Sequence, residues 1–322
     1  MNVAEKPVTK LKPRIAVVIL SFNQREQTLR CLHHLLACAA VEDPFDVLLW
    51  DNGSIDATAE AVEARFSSIL VHRCPSNLGV ARGRNAAARL ALEAFEPTLL
   101  LFLDNDIVVR EGFVAALTKP FLAPQGKKVG QTQAKLRLAD QPDLLNDGGG
   151  CRIQFWLGRT RPVGYGEVDR GQYDSPARCV ACGGAMMVRA GLFRDLGGFD
   201  ENFSPFGPED IDFSLRLQEA GWEAWYIPAA VGFHDVNHTF GASGFSEDYA
   251  AHRAQHWLTL MSRHASLLDW AGFMLIGVPL IAGRVLVREM RKGNVAALRG
   301  LARGALGRRQ SNGENDKPGS GR

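Results

Sequence analysis

The stretch Leu99-Leu100-Leu101-Phe102-Leu103-Asp104-Asn105-Asp106 decides the fold. An unbroken apolar run this short reads as a strand covered on both faces, and it ends abruptly in two carboxylates one residue apart. Upstream, the runs Ile15 to Leu20, Val47 to Trp50 and Ile69 to His72 have the same character. Segments of helical period separate them, from about Arg25 to Ala37, from Asp56 to Arg65 with Ser54 or Asp56 as the N-cap, and from Val80 to Glu93. Strand, crossover helix and strand in alternation predict an α/β fold, a doubly wound and mostly parallel sheet flanked by helices.

Ligands of such sheets bind beyond the carboxyl ends of the strands. Those ends read Ser21-Phe22-Asn23, Asp51-Asn52-Gly53-Ser54 and Asp104-Asn105-Asp106, all small and polar. From Lys135 to Arg178 the periodicity fades, which predicts a structured but irregular region of the kind that usually carries function. A strand over Val180 to Val188 follows, then Gly197-Gly198-Phe199-Asp200 and a helix from Glu209 to Ala220. A strand over Glu223 to Ile227 and a loop holding His234 come next.

Beyond Glu247 the pattern turns helical. Trp270 to Gly283 is apolar throughout, shorter than the roughly twenty residues a spanning helix needs. Between Arg284 and Arg309 every charged residue but Glu289 is basic. Together these predict helices lying at the surface of an anionic membrane. The expected organisation is a flexible N-terminus over 1–13, a catalytic domain over 14–245 split near 133 into a nucleotide half and an acceptor half, C-terminal helices over 246–309, and a disordered tail over 310–322.

The chain has 322 residues and a formal net charge of +2, so no strong overall field draws it to nucleic acid. The segment Met1 to Pro13 lacks an apolar core, which argues against a secretory signal and for a cytoplasmic protein at the inner face of the membrane. The six cysteines lack paired spacing apart from Cys179 and Cys182, which read as small buried residues.

Five groups carry the chemistry. Asp104 and Asp106 can share a hard divalent cation, Mg2+ or Mn2+, and leave positions for phosphate oxygens; the bland alternative is a solvated turn. Asp51 can accept from a base or ribose, although Asn-Gly turns and Ser caps are common. Asn77, Gly79, Arg82 and Arg84 open a helix suited to a diphosphate, with Gly79 and Gly83 permitting close approach, or are merely solvated. Glu209 and Asp210 follow Pro205 and Pro208 and can supply a general base or simply stabilise the helix N-terminus. His234, with Asp235 and His238 nearby, can complete a metal site or pack as an ordinary side chain.

In this order and spacing the segments from about Arg14 to His238 resemble the family 2 glycosyltransferases of the GT-A fold, especially their rhamnosyltransferase-like branch. The resemblance rests on Val18-Ile19-Leu20-Ser21-Phe22-Asn23, Asp51-Asn52-Gly53-Ser54, Asn77-Leu78-Gly79, Asp104-Asn105-Asp106, Gly197-Gly198-Phe199-Asp200-Glu201 and Glu209-Asp210-Ile211-Asp212, then Arg216, Gly221 and His234. It implies a GT-A sheet and an inverting, metal-dependent transfer from a nucleotide-sugar donor to a glycan or lipid-linked acceptor. By it Ser21, Asn23, Asp51, Asn77, Gly79, Arg82, Arg84 and Asp104 would line the nucleotide, and Asp104, Asp106 and His234 would hold the metal. Asp210 would be the base, with Glu209 orienting a sugar. Asn105 stands where other residues are frequent in the family.

Two rivals remain at this level. A sugar nucleotidyltransferase would carry a Gly-rich basic loop after its first strand, where this chain reads Ser21-Phe22-Asn23-Gln24. A non-catalytic membrane-tethered homologue would have no reason to retain Asp104, Asp106, Glu209, Asp210 and His234 together.

Overall fold

The computed structural model describes residues 12–39, 44–122, 128–236, 247–292 and 296–306. They divide into two compact units, those within Met1–Ile153 and Arg159–Phe240, and those within Gln154–Gly158 and Gly241–Arg322. Residues 1–11, His238 and the tail from Ser311 lie outside the described residues.

The first unit is an α/β sheet built from strands β1 (Ile15–Ser21), β2 (Asp46–Asp51), β3 (Leu70–Arg73), β4 (Leu99–Asp104), β5 (Ile107–Val109), β6 (Val129–Leu138), β7 (Leu145–Asp147), β8 (Cys151–Gln154), β9 (Arg159–Pro162), β10 (Ala177–Arg178), β11 (Ala185–Arg189) and β12 (Glu223–His234). Its helices are α1 (Arg25–Ala39), α2 (Thr58–Arg65), α3 (Val80–Phe95), α4 (Phe113–Leu122), α5 (Ala190–Asp195) and α6 (Glu209–Glu219). The sheet order is β10-β12-β6-β11-β4-β1-β2-β3, with β5 added to β12 and β7 to β6, while β8 and β9 pair separately. It is mostly parallel, with antiparallel β11 set between β4 and β6.

Strand alternation sends Val17, Ile19, Leu49, Leu101 and Leu103 to one face, against Leu32 and Leu35 of α1 and Phe113 and Leu117 of α4. Val18, Leu48, Leu100 and Phe102 go to the other, against Ala81, Ala87, Ala88 and Ala91 of α3 and Phe213 and Leu217 of α6. Both faces are covered, which is why these strands read as continuous apolar runs.

The second half of the sheet departs from the sequence expectation. Where an irregular region was predicted, β6 continues to Leu138 and β7 to β10 follow. Gln131, Gln133 and Lys135 are buried on one face of β6, so a fully internal strand carries polar residues and its apolar pattern breaks. Lys135 is satisfied there by Asp169 at 2.8 Å, which also accepts from Arg137 at 2.6 Å. The strand expected from Val180 begins only at Ala185, because Gly183 and Gly184 turn the chain with φ of +44° and +72°. β12 runs on past Ile227 through a register shift that accommodates Pro228, so His234 ends a strand rather than sitting in a loop. Neither Ser54 nor Asp56 precedes α2 directly. The helix starts after Ala57, while Asp56 accepts from the Thr58 amide at 3.1 Å.

The second unit contains α7 (Glu247–His264), α8 (Leu267–Gly272), a π-helical turn (Phe273–Gly277), α9 (Val278–Lys292) and α10 (Ala296–Ala305). α10 crosses α7 closely. A Cβ on Gly300 would lie 2.1 Å from the Glu247 carbonyl oxygen, so only glycine permits the approach. Ser266 and Asp269 cap α8 reciprocally. From there the helix continues beyond both charged residues that bound the apolar run in the sequence, Asp269 and Arg284. Leu267–Arg288 is thus 22 residues, long and apolar enough to cross a membrane by length and composition, and only 11% of its apolar window is buried.

Candidate active site

Parallel pairing places Leu20 beside Asp104 and Ser21 beside Asp51, so the polar strand ends form one row along the sheet edge. After Asp104 the chain turns through Asn105 and Asp106 into β5, whose Ile107 pairs with His234 at the end of β12. Carboxylate oxygens of Asp104 and Asp106 and a ring nitrogen of His234 all lie within 4.8 Å of one another. His234 Nε2 is 3.2 Å from Asp106 Oδ1, and its Nδ1 is 3.0 Å from Asn146 Oδ1. A carboxamide oxygen only accepts, so Nδ1 carries the proton and Nε2 is the atom that faces the carboxylates. Burial opposes a charge on this ring, but Asp106 outweighs burial and raises its pKa. Two carboxylates and an imidazole oriented by a fixed neighbour form a donor set that suits a divalent cation. Asn105 turns inward and donates to Thr28 Oγ1 at 2.9 Å and Ser21 Oγ at 3.2 Å, fastening the turn to β1 and α1.

Arg84 sits in the centre and is buried. Its Nη2 contacts Asp104 Oδ1 at 2.5 Å and its Nη1 contacts Glu209 Oε1 at 3.0 Å, with the guanidinium over the Phe199 ring. Burial works against its charge, but the carboxylates of Asp104 and Glu209 raise its pKa further still. Its two arms are therefore engaged by protein carboxylates, whereas Arg82, two positions earlier in α3, is exposed and 3.6 Å from Glu201.

Glu209 and Asp210 begin α6 and are both buried. Burial, with Asp210 next to it, pushes the Glu209 carboxyl up to about 8 despite the opposing pull of Arg84. Asp210 is raised in the same direction by burial, and Arg84 with the amides of Ile211 and Gly183 pull the other way. Asp212 instead pairs with Arg216 at 2.7 Å. Arg216 also donates to the carbonyls of Leu196 and Gly198, tying the glycine turn to α6.

The residues expected at the nucleotide divide into two groups. The Ser21 hydroxyl is buried against Thr28 Oγ1 at 2.8 Å and turned into the protein. Asn23 is exposed and bridges two strand ends, its amide donating to Ser54 Oγ at 2.9 Å and its Oδ1 accepting from the Ile55 amide at 2.8 Å. Asp51 Oδ1 accepts from the Ser54 amide at 2.9 Å. Asn77 Oδ1 accepts from Asn52 and from the Gly79 amide. The glycines here allow close packing within the protein on the side where a Cβ would stand: a Cβ on Gly79 would lie 2.7 Å from Pro205 Cα, and one on Gly83 would lie 2.7 Å from Leu20 Cδ1. Asn146 and Gly183, both in contact with site residues, have no motif to announce them; only their chain neighbours in the folded sheet reveal them.

The chain matches the family described as "Glycosyltransferase like family 2" over residues 13–257. It is 28% identical over 243 residues, 70% of its own length and 78% of the relative's, to the N-acetylglucosaminyl-diphospho-decaprenol L-rhamnosyltransferase of Mycobacterium tuberculosis. Its fold is similar to that of a mannosyltransferase from Pyrobaculum calidifontis in complex with GDP-Man and Mn2+, at a TM-score of 0.55 and 17% identity, covering 92% of this chain and 81% of that one. It is also similar to GalNAc-T7 with UDP, GalNAc and Mn2+, at a TM-score of 0.57 and 14% identity, covering 85% and 58%. The sheet, the row of polar strand ends and a family match spanning the whole first unit agree, and the chain belongs to the family 2 glycosyltransferases.

Proposed function

We propose that the protein is an inverting glycosyltransferase moving a sugar from a nucleotide-diphosphate sugar to a hydroxyl of a lipid-linked or cell-envelope glycan acceptor. The observation that carries this reading is the convergence of Asp104, Asp106 and His234 on one side of Arg84, with Glu209 and Asp210 on the other. The mycobacterial relative, which acts on N-acetylglucosaminyl-diphospho-decaprenol, supports the acceptor class. Asp51, Asn23, Asn77, Gly79 and Arg82 lie along the strand ends and the start of α3 as the nucleotide-facing rim, with Ser21 and Arg84 supporting them from inside.

Asp104, Asp106 and His234 would hold Mg2+ or Mn2+, which when bound would neutralise the charge growing on the departing diphosphate. Arg84 donates to Asp104 and holds its carboxylate in place. Asp210 takes the proton of the acceptor hydroxyl, whose oxygen attacks the anomeric carbon from the face opposite the nucleotide, so the configuration inverts. The transition state has oxocarbenium character, as in glycoside cleavage. A carboxyl raised by burial, against the pull of Arg84 and two amides, is a stronger base than an exposed aspartate. Glu209 orients a sugar beside it.

The exposed apolar helix Leu267–Arg288 supports membrane association at the cytoplasmic face, where a lipid-linked acceptor would be presented. The domain division at residues 133 and 245 is part of the same reading. A panel of nucleotide sugars with Mn2+ or Mg2+, scored for nucleoside diphosphate release, tests the activity. Release of pyrophosphate from a sugar 1-phosphate and a nucleoside triphosphate would favour a nucleotidyltransferase instead. Co-flotation with anionic liposomes tests the membrane contact, and failure to float would count against it.

A further inference from the structure

Asp147, at the end of β7, is buried and has no place in the chemistry described above, yet it gathers donors from three segments. Its Oδ1 accepts from the amides of Gly149 at 2.8 Å and Gly150 at 2.6 Å. Its Oδ2 accepts from Gln133 Nε2 at 3.2 Å and from the Cys182 thiol at 3.4 Å. The same Gln133 nitrogen donates to the Gly183 carbonyl at 3.3 Å. Asp147 therefore grips the back of the turn Cys182–Gly184 twice, through Cys182 directly and through Gln133.

The front of that turn faces the reaction site. The Gly183 backbone packs against the Asp210 carboxylate: a Cβ on Gly183 would lie 3.1 Å from Asp210 Oδ2, a tight contact. Its amide works against the rise that burial gives the Asp210 pKa. The Gly184 carbonyl accepts from the Asp104 amide at 2.7 Å. This second tie is part of the β11–β4 ladder, which continues directly into the pair Ala185 and Leu103. The Gly184 end is thus fixed by sheet register, while the Gly183 carbonyl is held by the Ala185 amide at 2.8 Å and by the Gln133 side chain at 3.3 Å, the contact that reaches back to Asp147.

We infer that Asp147 and Gln133 are positioning residues that hold the Gly183 amide against Asp210 and thereby aim the base. The inference rests on Asp210 being the base. A carboxylate that accepts from the backbone amides of one glycine turn and from the side chains of Cys182 and Gln133 is costly to bury unless its contacts are needed, since each buried charge carries a desolvation penalty of several kcal/mol. Burial does push Asp147 up, to about 6, in spite of its donors. A hydrophobic residue would fill the same space without that penalty, but it could not fasten the turn.

The test uses the full chain and the variants Asp147→Asn and Gln133→Met. Asp147→Asn is isosteric, and Gln133→Met leaves Asp147 its Gly149, Gly150 and Cys182 donors, so one of them keeps the question open to measurement if the other folds poorly. Both are expected to lower kcat between about tenfold and a hundredfold, the cost of displacing a reacting group by a fraction of an ångström to 1 Å. Affinity for Mn2+ and for the nucleoside diphosphate, by calorimetry, should stay within about twofold, because the Gly184 and Asp104 tie is independent. Unchanged kcat in a folded variant overturns the inference. So does a loss that appears equally in nucleotide affinity, the mark of general loosening. Asp210→Asn is measured alongside: if it turns over like the parent, the assignment of the base fails, whereas a crippled Asp210→Asn beside unaffected Asp147 and Gln133 variants sinks only the positioning role.

Discussion

Asp104 and Glu209 hang from the same guanidinium, but the Asp104 side chain is 30% exposed and the Glu209 side chain 4%. The open side sets the buried Asp106 and the half-buried His234 beside Asp104. The closed side packs Asp210 against Glu209 and lets burial lift both carboxyls. The difference teaches that one cation, Arg84, serves two opposite needs. On the open side it donates to a carboxylate that stands beside Asp106 and His234. On the closed side its positive charge opposes the rise that burial gives two neighbouring acids.

The largest expected effect breaks the closed side. Asp210→Asn should lower kcat roughly 10²–10⁴-fold with little change in donor affinity, the usual contribution of a positioned acid or base; steady-state kinetics read both. Next comes the shared centre. Arg84→Met strands two buried acids, and removing one partner of such a pair costs about 3–5 kcal/mol, visible as a lower denaturation midpoint in urea. On the open side, Asn146→Ala releases the ring of His234 and should weaken Mn2+ binding about 10- to 100-fold without touching a ligand; calorimetry in the presence of nucleoside diphosphate checks it.

The smallest effect is a slope. Glu209 is raised in the folded chain, to about 8, and lies near its ordinary value in the unfolded one, so between those values the folded form holds a proton that the unfolded form has lost. Stability should therefore decline as pH rises through that window and level off above about 8. Glu209→Gln should flatten the decline, and denaturation at a series of pH values distinguishes the two. An identical slope in both proteins would remove Glu209 from the explanation.

The first half of the sheet was readable because β1, β2 and β4 are buried on both faces, so pattern and burial coincide there; only the edge strand β3 is open to solvent. The second half hides its strands. Gln131, Gln133 and Lys135 are internal yet polar, because Gln133 and Lys135 meet Asp147 at the end of β7 and Asp169, 14 and 34 positions later, and Gln131 meets the Met186 sulfur on β11, all outside the local pattern. Asp104, Asp106, Asp210 and His234 were legible as a set. Their support was less so: the direction in which Arg84 points depends on Glu209, 125 positions later, and the orientation of His234 depends on Asn146, 88 positions earlier. Glycines illustrate the same limit. Gly79 and Gly83 read as room for a phosphate, and the fold adds a second need for them, since Pro205 and Leu20 fill the positions a Cβ would take.

The apolar helix of the second unit has a practical consequence. Leu267 and Leu268 are 89% and 85% exposed, and Leu275 is 77% exposed. In a buffer without lipid or detergent, neighbouring molecules would cover these side chains with one another. A higher-order species seen by size exclusion in such a buffer would then report the solvent, and it should dissolve into smaller particles once a mild micelle is supplied.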